Sequence, residues 1–165
     1  MIFMEKLLRK IVNSKKSVRA LRISSAVSSI LIALSYFAVL YLAFVQNRLE
    51  ALYVVCMTAI PFFIVSLFRR LFDAPRPYEI YDFYKEKPKE KKGRSFPSRH
   101  VFSGFIIASV AFVYSLPLSL LALALSVLLA VSRILLGIHF IRDCVCGALI
   151  GVIAAVIGIT VFGLI

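Results

Sequence analysis

The sequence predicts an all-α integral membrane protein, a bundle of about five transmembrane helices preceded by a basic amphipathic N-terminal segment. Of its 165 residues, 61% are hydrophobic and the mean hydropathy is +0.94, whereas a soluble domain is about half apolar. Stretches without a charged residue occupy 23–47, 51–68, 101–132 and 144–165. Because a helix needs about 20 apolar residues to cross the ~30 Å hydrocarbon core, and lipid offers no partner to free backbone groups, these stretches predict membrane-spanning helices.

The first segment, residues 1–22, is basic and amphipathic. Its Lys and Arg side chains alternate with apolar residues such as Ile2 and Leu7, a composition typical of a helix that lies on an anionic membrane surface. A basic tail that only sets the topology is the alternative. The segment lacks the long apolar core and the small-residue cleavage site of a secretory signal peptide.

The rest of the chain, residues 23–165, is predicted to be a single transmembrane domain. Its five spans lie at about residues 23–47, 50–71, 99–115, 118–137 and 143–164, with a loop at 73–98. The stretch 101–132 is too long for one span, and Pro117 in "YSLPLS" divides it into two.

The basic residues are distributed unequally between the two sides of the predicted membrane. With five spans, the N-terminal segment, residues 69–99 and residues 133–142 lie on one side, which holds 19 of the 20 Lys and Arg residues. The positive-inside rule therefore predicts that this side of a multi-pass cell-membrane protein is cytoplasmic. The net charge of +12 is explained by this orientation, and no nucleic-acid partner is predicted.

Ionisable residues gather in three blocks at the ends of predicted spans. The blocks are "RRLFDAPRP" (69–77), "SFPSRH" (95–100) and "SRILLGIHFIRD" (132–143). The end of the second span, the start of the third and the turn between the fourth and fifth lie on one membrane face, so topology alone brings the blocks together. Since ionisable groups at membrane depth are costly, they are functional candidates.

The histidines and the carboxylate of these blocks indicate acid–base or nucleophilic chemistry. His139 and Asp143 are four residues apart, which places them on one helical face. A carboxylate there can accept from one ring N–H and leave the other nitrogen basic, so His139 is a candidate nucleophile or base. His100, from another block, is a candidate general acid.

The arginines of the blocks indicate phosphate binding, because a guanidinium binds phosphate oxygens in a bidentate way and never loses its charge. The candidate phosphate ligands are Arg69, Arg76, Ser98, Arg133 and Arg99. Arg70 and Arg142 are interpreted as topology anchors. A metal phosphatase needs clustered carboxylates, and only Asp143 lies within the histidine blocks, so phosphoryl transfer without a metal or other cofactor is predicted.

These blocks resemble the three signatures of the type-2 phosphatidic acid phosphatase family, which also includes glucose-6-phosphatase and the vanadium haloperoxidases. The signature SR-x5-H-x3-D is matched at every position, by Ser132, Arg133, His139 and Asp143. Residues 97–100 match PSGH except that Arg99 replaces glycine. Arg76 and Pro77 match K-x6-RP, with Arg69 where lysine is usual.

The resemblance implies roles for these residues. His139 attacks phosphorus to form a phosphohistidine, Asp143 orients it and His100 protonates the leaving oxygen. The implied phosphate ligands are Arg69, Arg76, Ser98 and Arg133. Arg99 either adds a phosphate contact that favours a diphosphate or points to the lipid headgroups. Bacterial lipid phosphatases of the family commonly have six spans, and many face outward, in disagreement with the charge distribution here.

The predicted function is a metal-independent membrane lipid-phosphate phosphatase. The candidate substrates are a polyprenyl diphosphate such as undecaprenyl diphosphate, and a phospholipid such as phosphatidylglycerophosphate or phosphatidic acid. Family frequency ranks the polyprenyl diphosphate first, and a cytoplasmic site favours phosphatidylglycerophosphate. The alternatives are a catalytically inactive lipid-binding membrane protein and a vanadate-dependent, haloperoxidase-like oxidase. No oligomeric state is predicted.

Overall fold

The predicted all-α fold class is confirmed. The computed structural model describes residues 8–9, 11–82, 84 and 92–163, and all regular secondary structure among these residues is helical. Residues 8–9 and 11–13 are helical. The helices that follow, in chain order, are α1 (Lys15–Gln46), α2 (Arg48–Leu71), α3 (Pro77–Ile80), α4 (Arg99–Tyr114), α5 (Leu116–Leu135) and α6 (Ile141–Phe162). Successive long helices run in opposite directions, so the chain forms an antiparallel bundle.

Four of the helices, α1, α2, α5 and α6, are long and apolar enough to cross a membrane. The other predicted span, α4, is apolar but has only 16 residues, which extend about 24 Å. The predicted break within 101–132 lies at Ser115, whose side chain accepts a hydrogen bond from the backbone N–H of Leu118 and so caps α5.

The first span differs from its predicted bounds. Helix α1 begins at Lys15 rather than near residue 23, because Ser14 caps it by accepting a hydrogen bond from the Ser17 N–H at 3.3 Å. Residues 15–22 are therefore continuous with the first span. Residues 1–7 and 10 lie outside the described part of the chain, and the contact of the basic segment with a membrane surface stays a prediction.

Helix α4 lies at the centre of the bundle and packs against α1, α2, α5 and α6. Its side chains Phe102, Ile106 and Val110 are buried in the main hydrophobic core. The outer surface of the bundle is also apolar, with large exposed side chains such as Phe63 and Val161. A surface of this kind is expected where lipid replaces water as the solvent.

Small residues on α6 allow its backbone to approach that of α4. A Cβ atom added at Gly147 would lie 2.7 Å from the Ser98 carbonyl oxygen, and one added at Gly151 would lie 2.7 Å from the Phe102 carbonyl oxygen. Ala155, one turn further along, is fully buried. This Gly-x3-Gly-x3-Ala stripe is the small-residue pattern that promotes close helix packing in membranes, where association depends on van der Waals contact.

We expect Gly151→Ala to destabilise the protein. Alanine is the better helix former by about 1 kcal/mol, but the added methyl group meets backbone atoms of α4 that cannot rotate away. The expected loss is about 1–3 kcal/mol in the free energy of unfolding, measured by denaturant unfolding in detergent micelles. Val152→Leu, on the exposed face of the same helix, is the matched control and leaves stability unchanged. Equal stability of Gly151→Ala and the wild type contradicts the close approach.

Candidate active site

The structure brings the three sequence blocks together at one end of the bundle. Helix α2 ends there, α4 begins there, and the turn between α5 and α6 lies beside them. Backbone hydrogen bonds connect the blocks: the Ser95 N–H donates to the Ala74 carbonyl at 2.9 Å, and the Ser98 N–H donates to the Asp143 carbonyl at 2.9 Å. The convergence predicted from topology is therefore observed in the described residues.

His139 lies beside Asp143 in the buried centre of this end. Its Nδ1 is 3.6 Å from Asp143 Oδ2, and the exposed fractions of the two residues are 3% and 0%. The Phe140 N–H donates to the same carboxylate oxygen at 3.0 Å, which holds the carboxylate at the start of α6. The two side chains are therefore adjacent, as their four-residue spacing predicts.

Ser95 joins the histidine to the carboxylate. Its hydroxyl donates to Asp143 Oδ2 and lies 3.3 Å from His139 Nδ1. Because the hydroxyl proton is directed at the carboxylate, Ser95 Oγ accepts from a proton on Nδ1 of His139. That assignment leaves Nε2 as the unprotonated nitrogen of the ring.

The sequence pattern did not single out Ser95, although it lies in the "SFPSRH" block. The only indication of a role in the sequence was its position in a block that was expected to converge with the others. Serines are also common in surface loops, so this position did not distinguish Ser95. The side chain is fully buried. The burial of a polar side chain cannot be predicted from a single sequence.

Two arginines hold the loop that carries Ser95. Arg69, buried in the last turn of α2, donates from Nη1 to the Ser95 carbonyl at 3.1 Å and also to the Pro97 carbonyl. Arg76 donates from Nε to the Gly93 carbonyl at 2.9 Å. Both guanidinium groups thus fix the shape of the loop as well as bring positive charge to the site.

Glu79 is a second residue that the sequence interpretation missed. One of its oxygens accepts from the Arg76 N–H at 3.1 Å, and the other accepts from the Gly93 N–H at 2.7 Å. Gly93 has a φ of +69°, a conformation that favours glycine. Since the bonds to Glu79 and Arg76 close this turn from two sides, Glu79 positions Arg76. The sequence did contain one indication of this role, a carboxylate three residues after Arg76, which is the spacing of a helix-capping pair.

The remaining predicted phosphate ligands are divided between the buried cluster and the surface. Arg133, in the last turn of α5, and Ser98, the residue before α4, are buried. The Ser98 hydroxyl makes no hydrogen bond to a nitrogen or oxygen atom within the described residues, and the Cys144 thiol is its neighbour. Arg99 is exposed, with its guanidinium carbon 5.8 Å from the centroid of the Phe62 ring, and no hydrogen bond or ion pair among the described residues joins it to the buried cluster.

His100 lies in the first turn of α4 and is exposed. With Arg99 it lines a groove of about 320 Å³ that runs along α4 and is otherwise mostly apolar. The structure thus puts the two histidines in different surroundings, one buried with Asp143 and one on the wall of an open groove.

Comparison with known proteins identifies the family. The family model described as the PAP2 superfamily matches residues 50–164, more than half of the chain. This chain belongs to the PAP2 superfamily. It is a membrane-integral member, and the matched region contains all three blocks.

A curated relative of this PAP2 protein is the bacitracin transport permease protein BcrC of Bacillus licheniformis. The two are 27% identical over 110 residues, or 67% of this chain and 54% of the relative, so the chain spans about half the length of the curated relative it matches.

A solved structure of a bacterial protein shows the same fold. The crystal structure of Aquifex aeolicus LpxE aligns with a TM-score of 0.70 and 23% identity, over 94% of this chain and 93% of that one. A PAP2-type phosphatidylglycerolphosphate phosphatase from Bacillus subtilis aligns with a TM-score of 0.41 and 18% identity, over 98% and 94% of the two chains.

The buried charges of this PAP2 protein change the basicity of His139. Burial lowers the pKa of His139 below its ordinary value of 6.5, because desolvation disfavours the charged ring. The interaction with the Asp143 carboxylate raises the pKa, and the positive charges of Arg133, Arg76 and Arg69 lower it. The ring is therefore neutral, with a basic nitrogen available, at neutral pH.

Histidine NMR in detergent micelles tests this conclusion, since the chain has only two histidines and a His100→Gln variant assigns the signals. We expect the titration midpoint of His139 below pH 6.5. Asp143→Asn lowers the midpoint further, because the lost carboxylate no longer stabilises the protonated ring. A midpoint at or above 6.5 in the wild type, or a rise in Asp143→Asn, contradicts the arrangement.

Proposed function

We propose that this PAP2 protein is a lipid-phosphate phosphatase that acts through a phosphohistidine. One observation carries the proposal: a buried histidine is oriented by a carboxylate and a serine, with Arg69, Arg76 and Arg133 close enough to lower its pKa. Cationic guanidinium groups around a neutral, oriented nucleophile suit attack on a phosphate, whose negative charge must be stabilised as it is approached.

The proposed reaction has two steps. In the first, His139 Nε2 attacks phosphorus, the bond from phosphorus to the lipid oxygen breaks, and His100 gives that oxygen a proton. In the second, water attacks the phosphohistidine, the P–N bond breaks and inorganic phosphate leaves. The deprotonated His100 accepts the proton of the attacking water, so the enzyme returns to its starting state.

The guanidinium groups are proposed to bind the phosphate oxygens through both steps, in place of a metal ion. Within the described residues, no group of three or more His, Cys, Asp or Glu side chains is arranged to hold a metal. The buried Ser98 hydroxyl, which has no nitrogen or oxygen partner among the described residues, is a further proposed phosphate ligand.

The proposed substrates are membrane lipids, a polyprenyl diphosphate, phosphatidylglycerophosphate or phosphatidic acid. The lipid character is supported by the position of the site at the end of an apolar bundle whose outer surface exposes large hydrophobic side chains. A substrate with its chain in the bilayer and its phosphate at the helix ends reaches this site without leaving the membrane.

Phosphate release from these three lipids in detergent with EDTA tests the proposal. His139→Ala is expected to abolish turnover, and wild-type enzyme quenched with radiolabelled substrate is expected to hold an acid-labile phosphoryl group that the variant lacks. Ser95→Ala keeps the labelled intermediate but lowers kcat by about 10-fold or more, the cost of a lost hydrogen bond to a charged group. Full activity of His139→Ala, or loss of activity in EDTA, overturns the mechanism.

We further propose that the active-site end of the bundle faces the cytoplasm. In intact cells, a membrane-impermeant maleimide is expected to label Gln46→Cys, at the opposite end of α1, and not Lys92→Cys, in the loop beside the site. Both positions are exposed in the protein, so a difference in labelling reports the membrane side. Labelling of Lys92→Cys without lysis contradicts this orientation, and lysed cells supply the control that both cysteines react.

A further inference from the structure

The groove beside the active site has a polar end and an apolar end. Arg99 and His100 line it where α4 begins, and Ile107 and Leu129 line its far part. From residue 99 to residue 107 a helix rises roughly 12 Å, so the groove leads from the level of the helix ends into the depth of the bundle. Its lining, apolar apart from Arg99, His100, Ser29 and Ser103, suits a hydrocarbon chain whose polar head lies at His100.

Arg99 is held at the polar end of this groove. Its guanidinium carbon lies 5.8 Å from the ring centroid of Phe62, within the range of a cation–π interaction, and both residues line the groove. The positive charge is therefore directed along the groove wall, on the surface side of α4, and not toward the buried phosphate ligands Arg69 and Arg133.

The proposed function, on which this inference rests, implies that the groove holds the leaving group of the substrate. The transferred phosphate lies with His139 and the buried arginines, and the leaving oxygen lies at His100. The group bonded to that oxygen is placed to extend from His100 into the groove, and Arg99 supplies a positive charge on the groove wall.

We propose that Arg99 is a specificity-determining residue that selects lipids whose leaving group carries a phosphate of its own. A polyprenyl diphosphate releases a polyprenyl monophosphate, and phosphatidylglycerophosphate releases a lipid with a phosphodiester. Phosphatidic acid releases diacylglycerol, which is uncharged. When the bond from phosphorus to the leaving oxygen breaks in a diphosphate, negative charge grows on the departing phosphate, and a guanidinium beside it stabilises that charge.

The test compares kcat/KM for the three lipids in wild-type enzyme, Arg99→Ala and Arg70→Ala. Arg70 is an exposed arginine at the end of α2 without a place in the site, and its variant controls for the loss of surface charge. Arg99→Ala is expected to lower kcat/KM for the polyprenyl diphosphate or phosphatidylglycerophosphate by about 10-fold or more relative to phosphatidic acid. Arg99→Lys, which keeps the charge without the planar fork, recovers part of the loss.

The three lipids also separate the possible outcomes. A selective loss with the diphosphate locates the second phosphate directly beside the leaving oxygen, and a selective loss with phosphatidylglycerophosphate locates it farther along the groove. Retained activity on phosphatidic acid shows that the variant is folded. An equal loss on all three lipids, no loss on any, or a loss matched by Arg70→Ala overturns the inference while the proposed phosphatase function stands. Absence of wild-type activity on every lipid refutes the proposed function, and the inference with it.

Discussion

Asp143 is the residue through which the separate parts of this end of the protein are joined. Its carboxylate accepts from Ser95 of the loop and from the Phe140 N–H, and it lies 3.6 Å from His139. Its carbonyl accepts from the Ser98 N–H at the start of α4. A buried carboxylate is costly unless such partners surround it. The bonds to Oδ2 and to the carbonyl fix the loop, the start of α4 and the turn before α6 relative to one another. Oδ1 accepts no hydrogen bond among the described residues and lies 3.6 Å from Arg142 Nε.

The packing of the transmembrane helices supports the same arrangement of the loop, the start of α4 and the turn before α6. Asp143, Gly147 and Gly151 follow one another at four-residue intervals, so they lie on one face of α6. The missing side chain at Gly147 lets α6 reach the Ser98 carbonyl, on the residue whose N–H bonds to Asp143. Close helix packing and the geometry of the site are thus parts of one contact between α4 and α6.

Buried charged residues at the helix ends lie a short distance from the apolar outer surface of the bundle. Arg69, Arg76 and Arg133 are buried together with His139 and Asp143 at the helix ends, while lipid-exposed side chains cover the outside of the bundle. Among the described residues at this end, three arginines and one carboxylate are buried, and Glu79 is half-buried beside Arg76. Positive charge is therefore in excess in a poorly solvated place, where an anion is favoured. Backbone carbonyls of the loop accept from two of these arginines, so the positive charge is held in place before a ligand arrives.

The sequence by itself determined the helical membrane fold, the convergence of three blocks and the pairing of His139 with Asp143. These follow from the length of apolar stretches, the alternation of helix direction and the four-residue spacing, all of which can be read along the sequence. Only the tertiary structure decided that Ser95 lies between the histidine and the carboxylate and that Glu79 positions Arg76. It also decided that Arg99 lies on the groove wall, apart from the other arginines. Those contacts join residues up to 48 positions apart, and they depend on side-chain burial and loop shape, which a residue's identity and spacing do not specify.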